Sequence, residues 1–126
     1  MLKTQLKILT GNLIGHKDGF GFFRPDDGSD DIFVPNREML KAMHGDKVCI
    51  KVLLSEKKGR PEAQITQVIH HAHLTLVGRL VFERGLYVVV PEDNRIKHDI
   101  VIPVSDLDGA KSKQIVTVEI IDPPTR

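Results

Sequence analysis

Cysteine occurs only once in the 126 residues, so no disulfide can form within the chain and folding must rest on burial and backbone pairing. Long apolar runs are missing as well: no stretch approaches the roughly 20 residues that a membrane-spanning helix needs. The amino end, Met1-Leu2-Lys3-Thr4-Gln5-Leu6-Lys7, alternates polar and apolar residues instead of building the apolar core of a signal peptide, and the cytoplasm is the expected compartment. Charge of one sign is scarce too, the formal net charge being +1. Nonspecific affinity for nucleic acid grows with the number of phosphates neutralised, so any such role must come from local distribution. Residues 1–70 hold eleven Lys and Arg against nine Asp and Glu, whereas residues 71–126 hold seven against eight; the first half is the better candidate. Neither a nucleophile and base pair, a phosphate loop nor an oxyanion signature is present, so the chain reads as one that binds rather than reacts.

What the chain does contain is an internal repeat at a spacing of 66 to 68 residues. Gly19-Phe20-Gly21-Phe22-Phe23 and Asp31-Ile32-Phe33-Val34-Pro35 correspond to Gly85-Leu86-Tyr87-Val88-Val89-Val90-Pro91 and Asp99-Ile100-Val101-Ile102-Pro103. Gly11-Asn12-Leu13 likewise matches Gly78-Arg79-Leu80, and Val48 to Val52 matches Val116 to Ile120. Duplication on this scale predicts two small domains of one architecture, 1–70 and 71–126, each near the lower limit for independent folding.

Short Val, Ile and Phe-rich runs punctuated by Gly, Pro and Asp predict strands throughout. In the first unit these fall near 7–15, 19–24, 31–34, 46–54 and 62–69, with a helical turn from Arg37 to Met43. Five strands with a helical turn after the third is the order of an OB-type barrel. The second unit repeats four, near 74–83, 85–90, 99–102 and 114–121, and a fifth at the same offset would begin close to residue 128. The expected fold is therefore all-β, two tandem five-stranded OB-type barrels, the second truncated before its fifth strand. Such an edge is expected to be covered by residues 1–7 or by an edge-paired or exchanged homodimer, or to leave the last strand locally disordered, with association the favoured outcome.

Side chains alternate along a strand, so Phe20 and Phe22 share one face, with Gly19, Gly21 and Phe23 on the other. Alternation alone leaves open which face is core. If the glycines point inward, Phe23 fills the core with Ile32 and Val34, and Phe20, Phe22 and Phe33 form an outward aromatic platform. Glu56-Lys57-Lys58-Gly59-Arg60 reads as the loop between the fourth and fifth strands, which in OB-type folds borders the binding face. His70-His71-Ala72-His73 reads as a linker, since adjacent residues of an extended connector point to opposite sides and no cysteine or carboxylate cluster accompanies them. The aspartates at 26, 27, 30, 31 and 93 sit around turn glycines and prolines, where carboxylates cap backbone groups.

Lys17-Asp18-Gly19-Phe20-Gly21-Phe22-Phe23 resembles the first ribonucleoprotein motif of cold-shock domains, and Asp31-Ile32-Phe33-Val34-Pro35 resembles the second. Adding Gly15-His16, His44-Gly45-Asp46, Lys58-Gly59-Arg60 and Val77-Gly78-Arg79 through Val89-Val90-Pro91, the whole chain resembles the tandem cold-shock region of the bacterial ribonuclease R (exoribonuclease II) family. The resemblance implies single-stranded RNA as partner, with Phe20, Phe22 and Phe33 stacking on bases. His16, Lys17, Arg24, Arg37, Lys57, Lys58 and Arg60 join them as candidate RNA contacts, the cations toward phosphate. It also implies a 3′-to-5′ exoribonuclease domain outside this chain, where magnesium would be held; no cofactor is expected within it. In the second unit Leu86, Val88 and Val101 replace the phenylalanines, and Tyr87 falls on the inward parity as core with its hydroxyl at an edge. A free-standing RNA chaperone or a protein-docking module are the alternative readings.

Overall fold

A computed structural model describes residues 8–54 and 60–121. Residues 1–7, Lys57 and Lys58 lie outside the described residues. Nine strands carry the fold: β1 (Ile8–Gly15), β2 (Gly21–Pro25), β3 (Ile32–Val34), β4 (Lys47–Leu54), β5 (Pro61–His70), β6 (Thr75–Glu83), β7 (Leu86–Pro91), β8 (Ile100–Ile102) and β9 (Ile115–Glu119). The first five close a barrel in the order β1-β2-β3-β5-β4, as expected of an OB-type unit. Closure comes from β5, which runs antiparallel to β4 and meets β3 in parallel at Phe33 and Glu62. Alternation then buries Leu13, Phe23, Val34, Val48, Ile50, Ala63 and Ile65 together, with Met39 and Ala42 capping one end.

The helical turn is shorter than the sequence suggested. Helix α1 covers Asn36–Met39 only, beginning where the Pro35 carbonyl accepts the N–H groups of Glu38 and Met39. Past Leu40 the chain must turn into β4, and Asp46 takes over: its carboxylate accepts the Met43 N–H at 2.9 Å, while its own N–H donates to the Met43 carbonyl. Strand β2 also starts two residues later than expected. Gly19 sits at φ +96°, in the left-handed region, and its N–H closes a turn onto the His16 carbonyl, so pairing begins only at Gly21.

The second unit is a four-stranded sheet in the order β8-β7-β6-β9, and its backbone repeats the first closely. Gly11 pairs with Pro25 and Val48; Gly78 pairs with Pro91 and Val116. At both glycines a side chain would collide with a neighbouring carbonyl, Arg24 O at 2.1 Å and Val90 O at 2.4 Å from the ideal Cβ, which explains why each repeat places glycine there. The likeness extends to the turn before each unit's fourth strand: Gly45 donates to Leu13 O and Lys113 to Leu80 O, both with positive φ. Leu80 and Val89 stand where Leu13 and Phe23 stand. Within the described residues no strand covers the concave side, which opens as a cavity of about 920 Å³ lined by Leu80, Val89, Ile100, Val116 and Val118. Tyr87 keeps the inward parity but lies at the rim, half-buried, its ring tilted against Phe82 at 4.8 Å; it caps the sheet end instead of filling a core.

Contacts between the units are specific. Met43, from the first unit, packs with Leu76, Ile96 and Ile120 of the second. Asp46, 1% exposed, accepts the Ala72 N–H at 2.8 Å on its other oxygen, so one carboxylate pins both the β4 approach and the connector to β6. No helix of the described residues is long and apolar enough to cross a membrane.

Candidate nucleic-acid interface

The inward set Gly21, Phe23 and Pro25 dictates that Phe22 and Arg24 face out, since β2 alternates strictly. Glycine is required at 21 because a Cβ there would meet the Ile14 carbonyl and the Met39 sulfur, both at 2.7 Å. Strand pairing sets Phe22 directly opposite Phe33 on β3 and Ile14 on β1. Phe20, just ahead of β2, completes the cluster, with ring centroids 5.9 Å from Phe22, 5.7 Å from Phe33, and Phe22 to Phe33 at 6.2 Å. These are the edge-to-face and tilted arrangements that aromatic quadrupoles favour. Phe22 is 38% exposed and the other two are half-buried, whereas Phe23 next door is fully enclosed. Three rings thus form one outward surface on a barrel whose interior is already full.

His16 lengthens that surface. Its ring lies face to face with Phe20 at 4.3 Å and 12°, held by the Asp18 N–H donating to Nδ1 at 3.1 Å. The turn that carries it is braced from below by Asn36, whose Nδ2 donates to the Asp18 carbonyl. Asn36 and Ile14 were not singled out from the sequence; only strand register and the turn geometry reveal them.

The cations divide. Lys17 is exposed on the β1–β2 turn and has no carboxylate partner among the described residues. Arg24 is paired with Asp31 at 3.4 Å at the surface, where such a pair contributes at most about 1 kcal/mol and opens readily to another anion, whereas Arg37, itself exposed, reaches the largely buried Glu62 at 3.7 Å. Arg60 is different: its guanidinium carbon lies 4.0 Å above the Phe33 ring centroid.

Histidines and aspartates that might have suggested metal do other work, and the described residues contain no group of three or more His, Cys, Asp or Glu suited to an ion. Asp27 caps the Ser29 N–H, and Asp26 accepts from Thr10 and Lys47. His44 accepts the Gly15 N–H on Nδ1 at 2.9 Å, which leaves its proton on Nε2 and the ring neutral. Burial lowers its pKa below the ordinary histidine value, and nearby Arg95 and His73 push the same way, against Asp93 and Asp46. Arg95 in turn holds the Asp93 carboxyl well below the usual carboxylate range through two hydrogen bonds. Because the unfolded chain takes up the His44 proton more readily than the folded one, stability is full above about pH 6.5 and falls as pH drops toward the depressed value. Thermal unfolding from about pH 7.5 to about pH 5 should show this loss, and His44→Gln, which keeps an acceptor for Gly15, should flatten it; an unchanged profile in the variant would exclude His44 as the cause.

Known proteins resemble this chain along nearly all of its length. The family model described as "Ribonuclease B OB domain" matches residues 11–68, and that described as "Cold shock domain" matches residues 88–126. Ribonuclease R of Escherichia coli is 38% identical over 125 residues, covering 99% of this chain. The chain is homologous to the OB and cold-shock region of ribonuclease R. Vibrio cholerae ribonuclease R is also 38% identical, over 128 residues and 99% of the chain. The match spans 15% of the length of the Escherichia coli protein and 16% of the Vibrio cholerae one. Among solved structures, the apo form of Mycoplasma genitalium RNase R superposes with a TM-score of 0.75 at 18% identity, covering 92% of this chain and 19% of that one. The same protein in complex with ribose methylated single-stranded RNA gives the same TM-score and coverage. The all-β, OB and cold-shock architecture expected from the resemblance is thus the one the ribonuclease R family carries.

Proposed function

We propose that this region binds single-stranded RNA on the Phe20, Phe22 and Phe33 face and guides it to a 3′-to-5′ exoribonuclease domain outside the matched segment, where magnesium would act. The observation that carries the reading is a cluster of three mutually packed rings on the outside of a closed barrel, prolonged by His16. Rings of this kind stack on any base, contributing on the order of 1–3 kcal/mol per base, and cations around them contact phosphates without reading sequence. Lys17 is exposed and placed to do so; Arg24 exchanges a surface carboxylate for phosphate, and Arg37 is exposed nearby; Lys57 and Lys58, outside the described residues, are further candidates. The Mycoplasma genitalium relative solved with single-stranded RNA supports the choice of ligand.

On this reading the chain comprises two domains, 1–70 and 71–126, in the cytoplasm. The second presents Leu86, Val88 and Val101 in place of the phenylalanines, with Leu86 52% and Val101 56% exposed, a surface better suited to packing against protein than to stacking. An edge-paired or exchanged homodimer is the association we propose for the chain on its own.

Labelled single strands titrated at about 50 and 200 mM salt should bind weakly, with little preference among sequences and a log–log slope of about −0.7 per phosphate contacted. Duplex RNA should bind less well; equal affinity for a blunt duplex would count against the proposal.

A further inference from the structure

Arg60 does not stand like a phosphate ligand. Its guanidinium carbon is 4.0 Å over Phe33, and Nε is withdrawn from solvent with no hydrogen-bond partner among the described residues. No ion pair among those residues holds the side chain either, the nearby Glu62 being engaged by Arg37. Backbone geometry puts it there: Arg60 immediately precedes Pro61, the first residue of β5, and the next residue, Glu62, is the parallel partner of Phe33. Phe20 and Phe22 pack around the same ring, so a base arriving at Phe33 meets the guanidinium as well. A guanidinium is planar, delocalised and weakly hydrated, and so stacks on π-faces, which an ammonium does not do.

We infer that Arg60 is a stacking residue of the platform, its guanidinium forming a layer over Phe33 against which a base packs, rather than one more phosphate contact. This rests on the proposal that the platform stacks bases. A base placed there gains a cation over its π-face while the ring beneath keeps the cation in position, so affinity rises without a sequence requirement.

The test uses the 126-residue chain with three proteins, wild type, Arg60→Ala and Arg60→Lys, and two strands of equal length, one with bases and one abasic. On the base-bearing strand both variants should lose affinity by about tenfold, with the salt slope unchanged. On the abasic strand all three should bind alike. Restoration by lysine, a loss that persists on the abasic strand, or tighter binding by Arg60→Ala, which would make the guanidinium a cover, each overturns the inference. Melting temperatures verify folding; should the alanine variant unfold, the lysine variant, which keeps the aliphatic stem, decides alone. A wild-type chain that binds both strands equally would instead overturn the stacking proposal itself.

Discussion

Replacing Phe20 and Phe33 together by alanine is expected to weaken single-stranded RNA binding about a hundredfold while the barrel stays folded. The estimate assigns about 1.4 kcal/mol to each stack lost, toward the lower end of what a base on an aromatic ring contributes. Both rings are half-buried and lean on each other, on Phe22, and on His16 and Arg60 outside the core, so their removal forfeits surface ring contacts of about 0.5–1.5 kcal/mol per pair and opens no hole in the core. Phe23 provides the internal contrast. It lies one residue from Phe22, is fully enclosed among Leu13, Val34 and Ile50, and its truncation should cost about 3–5 kcal/mol. Circular dichroism melts and RNA titrations on the two variants separate the roles. Phe20→Ala/Phe33→Ala should lose binding and keep its melting temperature within a few degrees; Phe23→Ala should do the reverse or fail to fold. If the double variant instead melts like Phe23→Ala, the rings belong to the core and the platform reading is wrong.

The strands, the repeat and the equivalence of Gly11 and Gly78 were legible in the sequence because each follows from period-2 alternation and punctuation by Gly and Pro, both local properties. Which face of β2 points outward was not legible from alternation alone. That is decided by close approach: only glycine fits between the Ile14 carbonyl and Met39, two groups distant in sequence from one another. Arg60 shows the same limit. Its charge could be read, but its placement on Phe33 depends on the parallel meeting of β3 and β5, a contact across 29 residues of chain between Phe33 and Glu62. The junction between the units escaped altogether. His44-Gly45-Asp46 resembles a family stretch without revealing what its side chains hold, Arg95 carries no signal, and His73, which reads as linker, stacks against His44 at 6.3 Å.

Asp46→Ala is expected to damage the chain at the junction of its two units without touching either the RNA face or the hydrophobic core. The carboxylate is 1% exposed and accepts two backbone N–H groups, from Met43 at 2.9 Å and Ala72 at 2.8 Å, one on each oxygen. His71 Nδ1 lies 3.7 Å away. Alanine leaves the buried Met43 amide without an acceptor, at a cost of about 1–3 kcal/mol, and also removes the part-buried Ala72 bond, worth about 0.5–1.5 kcal/mol, so a loss of about 2–4 kcal/mol follows. For a unit of this size 1 kcal/mol shifts the melting temperature by about 4–8 °C, which makes the effect easy to resolve. Asparagine should rescue little, since its amide nitrogen must turn one donor toward another donor. The loss should also be uneven. Met43 carries its side chain into the cluster with Leu76, Ile96 and Ile120, and Ala72 opens the connector to β6, so freeing both amides loosens the second unit's seat while the first barrel keeps its core. Hydrogen exchange should therefore quicken at Met43, Ala72 and across β6, and remain slow at Leu13 and Ile50. Uniform exchange across both units, or a melting temperature within a few degrees of wild type, would mean that the carboxylate does not couple them.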